Sequence, residues 1–347
     1  MLEAAARHPR FEVRAVSDIR IRELPVSRLP TGVRIYHSLE EMLQDETVEV
    51  VHVATPTPLH FEDARSSLSS GRHVIVEKPM TSDEQTASLL VSEVTASGCA
   101  LIVGHSRGFD PIARAMAELV AAGSVGHVGC FVSTQFTEWL RRPRRPDELD
   151  PEEGGGLLYR QVVHQLDVIR TVLGGDHLKV CCVRTRQDVV HATPGSYLAW
   201  LDSDSGVAVS LLVDGTGALL DKEARREPGA QESASAQKRR QNHDLVASIL
   251  AGGTPTLGQE ERDSAIVLGE KGSLVAKNNR LQFNGAAGTQ TIDLSGYPDG
   301  RSSVLDEMYA AIVGTRPVQL HDAAWGLENI RTCGSIARAA MTQGRQM

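Results

Sequence analysis

The 347-residue sequence has no apolar run approaching the ~20 residues of a membrane span; its longest, such as Val50 to Ala54, are strand-sized. Its first residues, Met1 to Arg7, include Glu3 and lack the apolar stretch of a signal peptide. A cysteine framework is missing too. Cys99, Cys130, Cys181, Cys182 and Cys333 form neither CxxC nor a Cys/His ligand spacing, and the odd count suits reduced thiols. The expectation is a cytoplasmic protein without a bound metal. Positive charge is not in excess: 36 Lys and Arg stand against 44 Asp and Glu, a net charge of −8. A general nucleic-acid binder needs a basic face, and anionic membrane attracts basic segments, so both partners are disfavoured. Finally, no glycine precedes Gly32.

What is present is enough apolar residue, 41%, for a sizeable core, in a chain long enough for two domains. The first third alternates strands with helices. Strands are expected at 11–16, 48–54, 73–76 and 99–103, and helices at 2–7, 39–43, 60–70 and 83–96, with Ser38 and Thr81 or Ser82 as N-caps. That period predicts a parallel sheet covered on both faces. After a helix at 111–122 the pattern changes. Strands at 128–136, 179–185, 196–201, 206–213, 273–276, 281–283 and 289–294, with few helices between them, predict an open, mostly antiparallel sheet. An amphipathic helix is expected at 157–173, a mobile loop at 221–243, and closing helices at 304–313 and 323–342. The fold class is therefore α/β, a Rossmann-like parallel sheet over 1–106 followed by an α+β domain over 107–347.

The front of the chain is unusual for that class. In a dinucleotide-binding unit an acidic residue ends the second strand and a glycine-rich turn about 20 residues earlier holds the pyrophosphate. Asp18 fits the acidic position, yet only 17 residues precede it and none is glycine. The expectation is that the first strand and the GxGxxG turn lie outside this polypeptide, through a misassigned start or truncation.

Four segments carry a resemblance. They are Ala54-Thr-Pro-Thr-Pro-Leu-His60, Gly71-Arg-His-Val-Ile-Val-Glu-Lys-Pro79, Gly104-His-Ser-Arg-Gly-Phe-Asp-Pro111, and Gly154-Gly-Gly-Leu-Leu-Tyr-Arg-Gln-Val-Val-His-Gln-Leu-Asp167. In this order they resemble the Gfo/Idh/MocA family of nicotinamide-dependent oxidoreductases, the second being similar to its AGKHVxxEKP signature. The resemblance implies that Lys78 and His164 are catalytic, and that Asp18, Ala54, Thr55, Pro56, His60, Glu77 and Lys78 line the cofactor. It implies NAD, since the Asp18 carboxylate repels a 2′-phosphate, with NADP open because Arg20 and Arg22 follow closely. It also implies a homodimer or homotetramer assembled through the C-terminal sheet.

The chain departs from the family in one telling place. Four residues before the helix histidine the family often has Asp, and here stands Arg160. Together with His321-Asp-Ala-Ala-Trp325-Gly326, this is similar to a branch containing phthalate cis-4,5-dihydrodiol dehydrogenases. A guanidinium pairs with both oxygens of a carboxylate, so Arg160 is a candidate substrate-binding residue. Asp167 shares roughly a face with His164 at i and i+3, as a substrate-side or orienting carboxylate. The expected function is hydride transfer between NAD and a cyclic hydroxylated substrate, plausibly a carboxylated cis-dihydrodiol. Two alternatives stand beside it: a catalytically impaired relative that binds or regulates, and an interaction module acting through its exposed sheet.

Overall fold

A computed structural model describes residues 1–19, 29–191, 193–217, 263–315, 318 and 320–344. The loop expected at 221–243, and Arg20 and Arg22, lie outside the described residues.

Helix α1 (Leu2–Arg7) leads to strand β1 (Ala15–Ser17), which pairs in parallel with β2 (Arg34–Tyr36). Helix α2 (Leu39–Leu43) follows, capped by the Ser38 hydroxyl, which accepts from the Glu41 amide. A separate parallel sheet contains β3 (Val50–Val53), β4 (His73–Val76) and β5 (Leu101–Val103), joined by α3 (His60–Ser69) and α4 (Glu84–Ser97). Asp83, rather than Thr81 or Ser82, caps α4, accepting from the Thr86 amide. A carboxylate there also meets the positive end of the helix dipole. Among the described residues β1 and β3 do not pair.

The three-stranded sheet is buried on both faces, as its β-branched runs predict. Val74 and Val76 pack with Leu68 and Leu90. The alternate residues Ile75 and Ile102, paired in register, pack with Phe109, Val304, Leu305 and Met308. The chain's last third therefore returns to cover the first-domain sheet.

Helix α5 (Pro111–Ala121) begins the second part, followed by β6 (Val128–Phe136) and the short α6 (Pro146–Leu149). The helix expected at 157–173 divides into a π-helical turn, Leu158–Val162, and α7 (Val163–Val172). Strands β7 (Leu178–Gln187), β8 (Pro194–Ser203), β9 (Ala208–Asp214), β10 (Asp263–Gly269), β11 (Gly272–Lys277), β12 (Arg280–Gly285) and β13 (Gly288–Thr291) complete the large sheet. Its order is β13-β12-β11-β10-β6-β9-β8-β7, with every pair antiparallel except β6 and β9. β10 had no counterpart among the expected strands. Helices α8 (Gly300–Ile312) and α9 (Ala323–Gly344) close the chain. Among the described residues no helix is long and apolar enough to cross a membrane.

Candidate active site

The carboxyl ends of β3 and β4 lie side by side, because Val53 pairs with Val76. Open α/β sheets bind ligands at such edges, where loops diverge and backbone groups are free. Ala54, Thr55 and Pro56 are exposed there, and Glu77 and Lys78 are half-buried. Asp18 follows the end of β1, half-buried.

Glu77 and Lys78 point apart, as successive residues of an extended chain do. The Glu77 carboxylate lies 3.2 Å from His52 Nε2. Burial opposes its ionisation, but the His52 contact and the Lys78 charge hold its pKa below the usual value. Lys78 turns the other way. Its Nζ donates to the carbonyl oxygen of Arg160 at 3.0 Å, crossing from the first domain to the second. Burial, and next the Arg160 guanidinium, lower its pKa to about 8; Arg107 and Arg144 add to this and Glu77 opposes it.

The partner of that bond lies in the π-helical turn. There the Val163 amide donates to the Leu158 carbonyl, five residues back. Such widened turns cluster at functional sites because they redirect side chains and loosen the backbone ladder. Here the turn presents the Arg160 carbonyl to the ammonium, and the charge of that ammonium acts on His164. Arg160 is half-buried, lies 3.8 Å from Asp147, and has Nε and Nη2 buried without hydrogen-bond partners. Half-buried His164 is pushed well below the ordinary histidine pKa by burial, then by Lys78, Arg107 and His105, and its buried Nδ1 is also unpartnered. The site thus offers a neutral imidazole, an ammonium that titrates near neutrality, and guanidinium donors with unused capacity.

Asp167 is elsewhere. Its carboxylate is fully buried and faces away from the expected partner His164, toward α9 and the segment before it. Oδ1 accepts from Trp325 Nε1 at 2.8 Å and from Asn329 Nδ2 at 3.3 Å, and lies 3.0 Å from His321 Nε2. Burial pushes its pKa up, but His105, His321 and the indole more than offset this and bring it to about 2. Arg170 closes the cluster, donating to Asn329 Oδ1 at 2.8 Å and stacking 4.1 Å from the Trp325 ring centroid. The packing is tight enough that a Cβ on Gly108 would lie 2.5 Å from Asp167 Oδ2. The structure places Asp167 Oδ1 among Trp325, Asn329 and His321, and its Oδ2 is buried without a hydrogen-bond partner.

His60 differs from its expectation as well. It is 1% exposed, and its nitrogens lie 2.9 Å from the Pro79 carbonyl oxygen and 2.8 Å from that of Thr55. Neither nitrogen is left for a cofactor. The segment Arg141-Arg-Pro-Arg-Arg145 is tethered: Arg141 pairs with buried Asp188, and Arg144 stacks 4.5 Å above Trp139. Motif spacing did not single out Arg107 or Arg144 as neighbours of Lys78. The Gly104-His-Ser-Arg107 segment was the only signal for the former.

Sequence comparisons agree with this architecture. Residues 1–105 match the family profile described as "Oxidoreductase family, NAD-binding Rossmann fold", and residues 113–275 match the "GFO/IDH/MocA C-terminal domain". A 1-carboxy-3-chloro-3,4-dihydroxycyclohexa-1,5-diene dehydrogenase of Comamonas testosteroni is 31% identical over 86% of this chain and 81% of its own. The chain belongs to the Gfo/Idh/MocA oxidoreductase family.

Within this family, a scyllo-inositol 2-dehydrogenase (NADP(+)) of Bacillus subtilis strain 168 is 32% identical, over 45% of this chain and 43% of its own. A solved structure from Bordetella bronchiseptica RB50 superposes with a TM-score of 0.81 at 27% identity, covering 99% of this chain and 94% of that one. The family consists of enzymes that bind NAD on a Rossmann fold, and the residues present fit the nicotinamide half. Ala54, Thr55 and Pro56 are exposed at the end of β3, beside the end of β4 that leads to Lys78, and His164 Nδ1 and Arg160 Nε are buried without hydrogen-bond partners.

Proposed function

We propose that this protein is an NAD-dependent dehydrogenase of a carboxylated cyclic cis-diol, with NADP as the other candidate cofactor. The observation that carries the reading is the Lys78 ammonium's 3.0 Å bond to the carbonyl oxygen of Arg160, four residues before His164 in the same helix motif. Arg160 stands where many family members have a carboxylate, and its Nε, buried without a hydrogen-bond partner, suits a substrate carboxylate, while Nη2 lies 3.8 Å from Asp147. A carboxylated dihydroxycyclohexadiene is also what the Comamonas testosteroni relative is named for.

NAD, when bound, accepts the hydride. The chain's own groups do the rest. The Lys78 ammonium donates a hydrogen bond to the reacting hydroxyl oxygen and stabilises negative charge as it develops. His164, neutral because burial and nearby cations depress its pKa, accepts the hydroxyl proton. The carbinol C–H bond breaks as its electron pair leaves with the hydride, the O–H bond breaks, and a C=O bond forms. The resulting dienone becomes a catechol by moving one ring proton to oxygen. Ala54, Thr55, Pro56 and Glu77 position the cofactor, and Asp18 binds ribose hydroxyls.

The outer face of the large sheet is the proposed surface for self-association. Paired positions share a face, so Asp202, Ala208, Cys130 and Leu268 form one row, and Trp200, Ser210, Val132 and Ile266 the next. Trp200 is 41% and Leu268 45% exposed on it. Such an apolar face fits a homodimer or homotetramer.

The decisive experiment follows NADH absorbance with 3,4-dihydroxycyclohexa-1,5-diene-1-carboxylate as probe and a neutral cis-diol as control. Turnover of the acid, with the neutral diol poor, is expected. Cofactor binding without turnover of either would return the reading to a binding or regulatory relative.

A further inference from the structure

His60 is a buried titratable group that the reaction above does not use. It opens α3, and its ring lies between the two strand-end turns of the site. We propose that His60 is a positioning residue for Lys78: its ring grips the Thr55 and Pro79 carbonyl oxygens with both nitrogens, a grip completed only when the ring is doubly protonated.

Donation to both carbonyl oxygens at once needs both nitrogens protonated. A carbonyl oxygen only accepts, and a neutral imidazole carries one N–H and one bare nitrogen. With contacts of 2.9 Å to Pro79 and 2.8 Å to Thr55, a neutral ring would set one nitrogen lone pair against an oxygen lone pair. Two N–H donors satisfy both. Thr55 lies just past β3, and Pro79 is the residue after Lys78, so the ring ties the β3 and β4 ends together beside the ammonium. The same turn supports the second domain: a Cβ on Gly154 would lie 2.7 Å from Thr57 Cγ2 and 3.6 Å from Pro79 Cγ.

The groups around the ring set where the grip acts. Burial is the largest influence and lowers the His60 pKa from the ordinary histidine value. The Arg160 guanidinium adds to this, while both carbonyls and the Glu77 carboxylate oppose it. Lys78, adjoining Pro79 in the chain, is a further cation of the same turn. The two-armed grip is therefore complete on the acid side and loses one arm as pH rises through a value below 6.5. The neutral ring then keeps one carbonyl, and the Lys78 turn gains freedom.

The proposal rests on Lys78 being the substrate-facing cation, so the test separates the two. In the full chain labelled with ¹⁵N-histidine, His60 is assigned by its loss in His60→Gln. Both ring nitrogens are expected to carry protons at low pH, with one becoming bare at a midpoint below 6.5. A single fixed neutral tautomer down to pH 4.5 overturns the grip. In the second arm, His60→Phe removes both donors. It is expected to lower kcat with the carboxylated diol about 10- to 100-fold, the scale of a misplaced catalytic group, with the KM for cofactor within about twofold. His60→Gln, which keeps one donor nitrogen, is expected to recover part of this and to keep the fold should the Phe variant lose it. Equal kcat in folded His60→Gln and the parent on the acid side of the NMR midpoint, where the parent ring has both donors, overturns the positioning role. A fully active Lys78→Ala would instead remove the hydride-transfer reading and leave the NMR result intact.

Discussion

The Lys78 ammonium donates to the Arg160 carbonyl oxygen at 3.0 Å, a single bond that joins the strand-end lysine of the first domain to the π-helical turn of the second. In the proposed reading this bond is what sets the lysine beside the segment that carries Arg160 and His164.

The first prediction concerns Lys78. Replacing it by Ala or Met is expected to lower kcat/KM at least about 100-fold, comparable with removing one donor to a developing oxyanion. Its lowered pKa sets a pH limb. The ammonium is present below about pH 8 and lost above it, so kcat/KM should fall as pH rises through about 8. His164, with a pKa well below 6.5, stays neutral across that range and adds no limb of its own. A kcat/KM profile that keeps climbing from pH 7 to 9 would assign the ammonium no role.

A second prediction separates Arg160 from general binding. Arg160→Met should raise the KM for a carboxylated diol by roughly 10-fold or more, the loss expected for an ionic hydrogen bond of about 1.5–3 kcal/mol. The KM for a neutral diol should not rise. Steady-state kinetics with both substrates decide it, and equal effects on the two would assign Arg160 to structure alone.

Asp167 gives a stability prediction. Its folded pKa of about 2 lies below the unfolded value, so its contribution is fully present above about pH 5 and is lost as pH falls toward 2. A shift of that size corresponds to roughly 2 kcal/mol. Asp167→Leu also leaves the Trp325 indole N–H and the Asn329 amide without their acceptor. Denaturant unfolding at pH 7 should show a loss of at least about 2 kcal/mol, and the difference from the parent should narrow by pH 3.

The outer sheet face can be tested by sedimentation velocity. Trp200→Arg, placed in a row with Ser210 and Val132, is expected to shift the protein toward monomer with its near-native far-UV spectrum retained. An unchanged sedimentation coefficient would assign self-association to another surface.

Much of this was legible in the residues. The Val-, Ile- and Leu-rich runs at 50–53, 73–76 and 101–103 mark buried parallel strands, because a sheet covered on both faces needs apolar side chains on each. The Glu77-Lys78-Pro79 ending and the triple glycine before the histidine helix mark the site by local chemistry. Local sequence also placed Ser38 as a cap and Arg160 one turn before His164. What local sequence could not set was partners brought together from distant segments. An i, i+3 spacing gives Asp167 and His164 a shared helix face, yet Trp325, Asn329 and His321, over 150 residues later, provide donors on the other side and draw the carboxylate away. His60 looked like a cofactor contact by motif position, and only the packing of two turns around it turned both nitrogens inward. Sequence decides which side chains can carry charge, protons and hydrogen bonds. The tertiary structure decides which of them are left facing the cleft, because a buried polar group takes whichever partner the neighbouring elements supply.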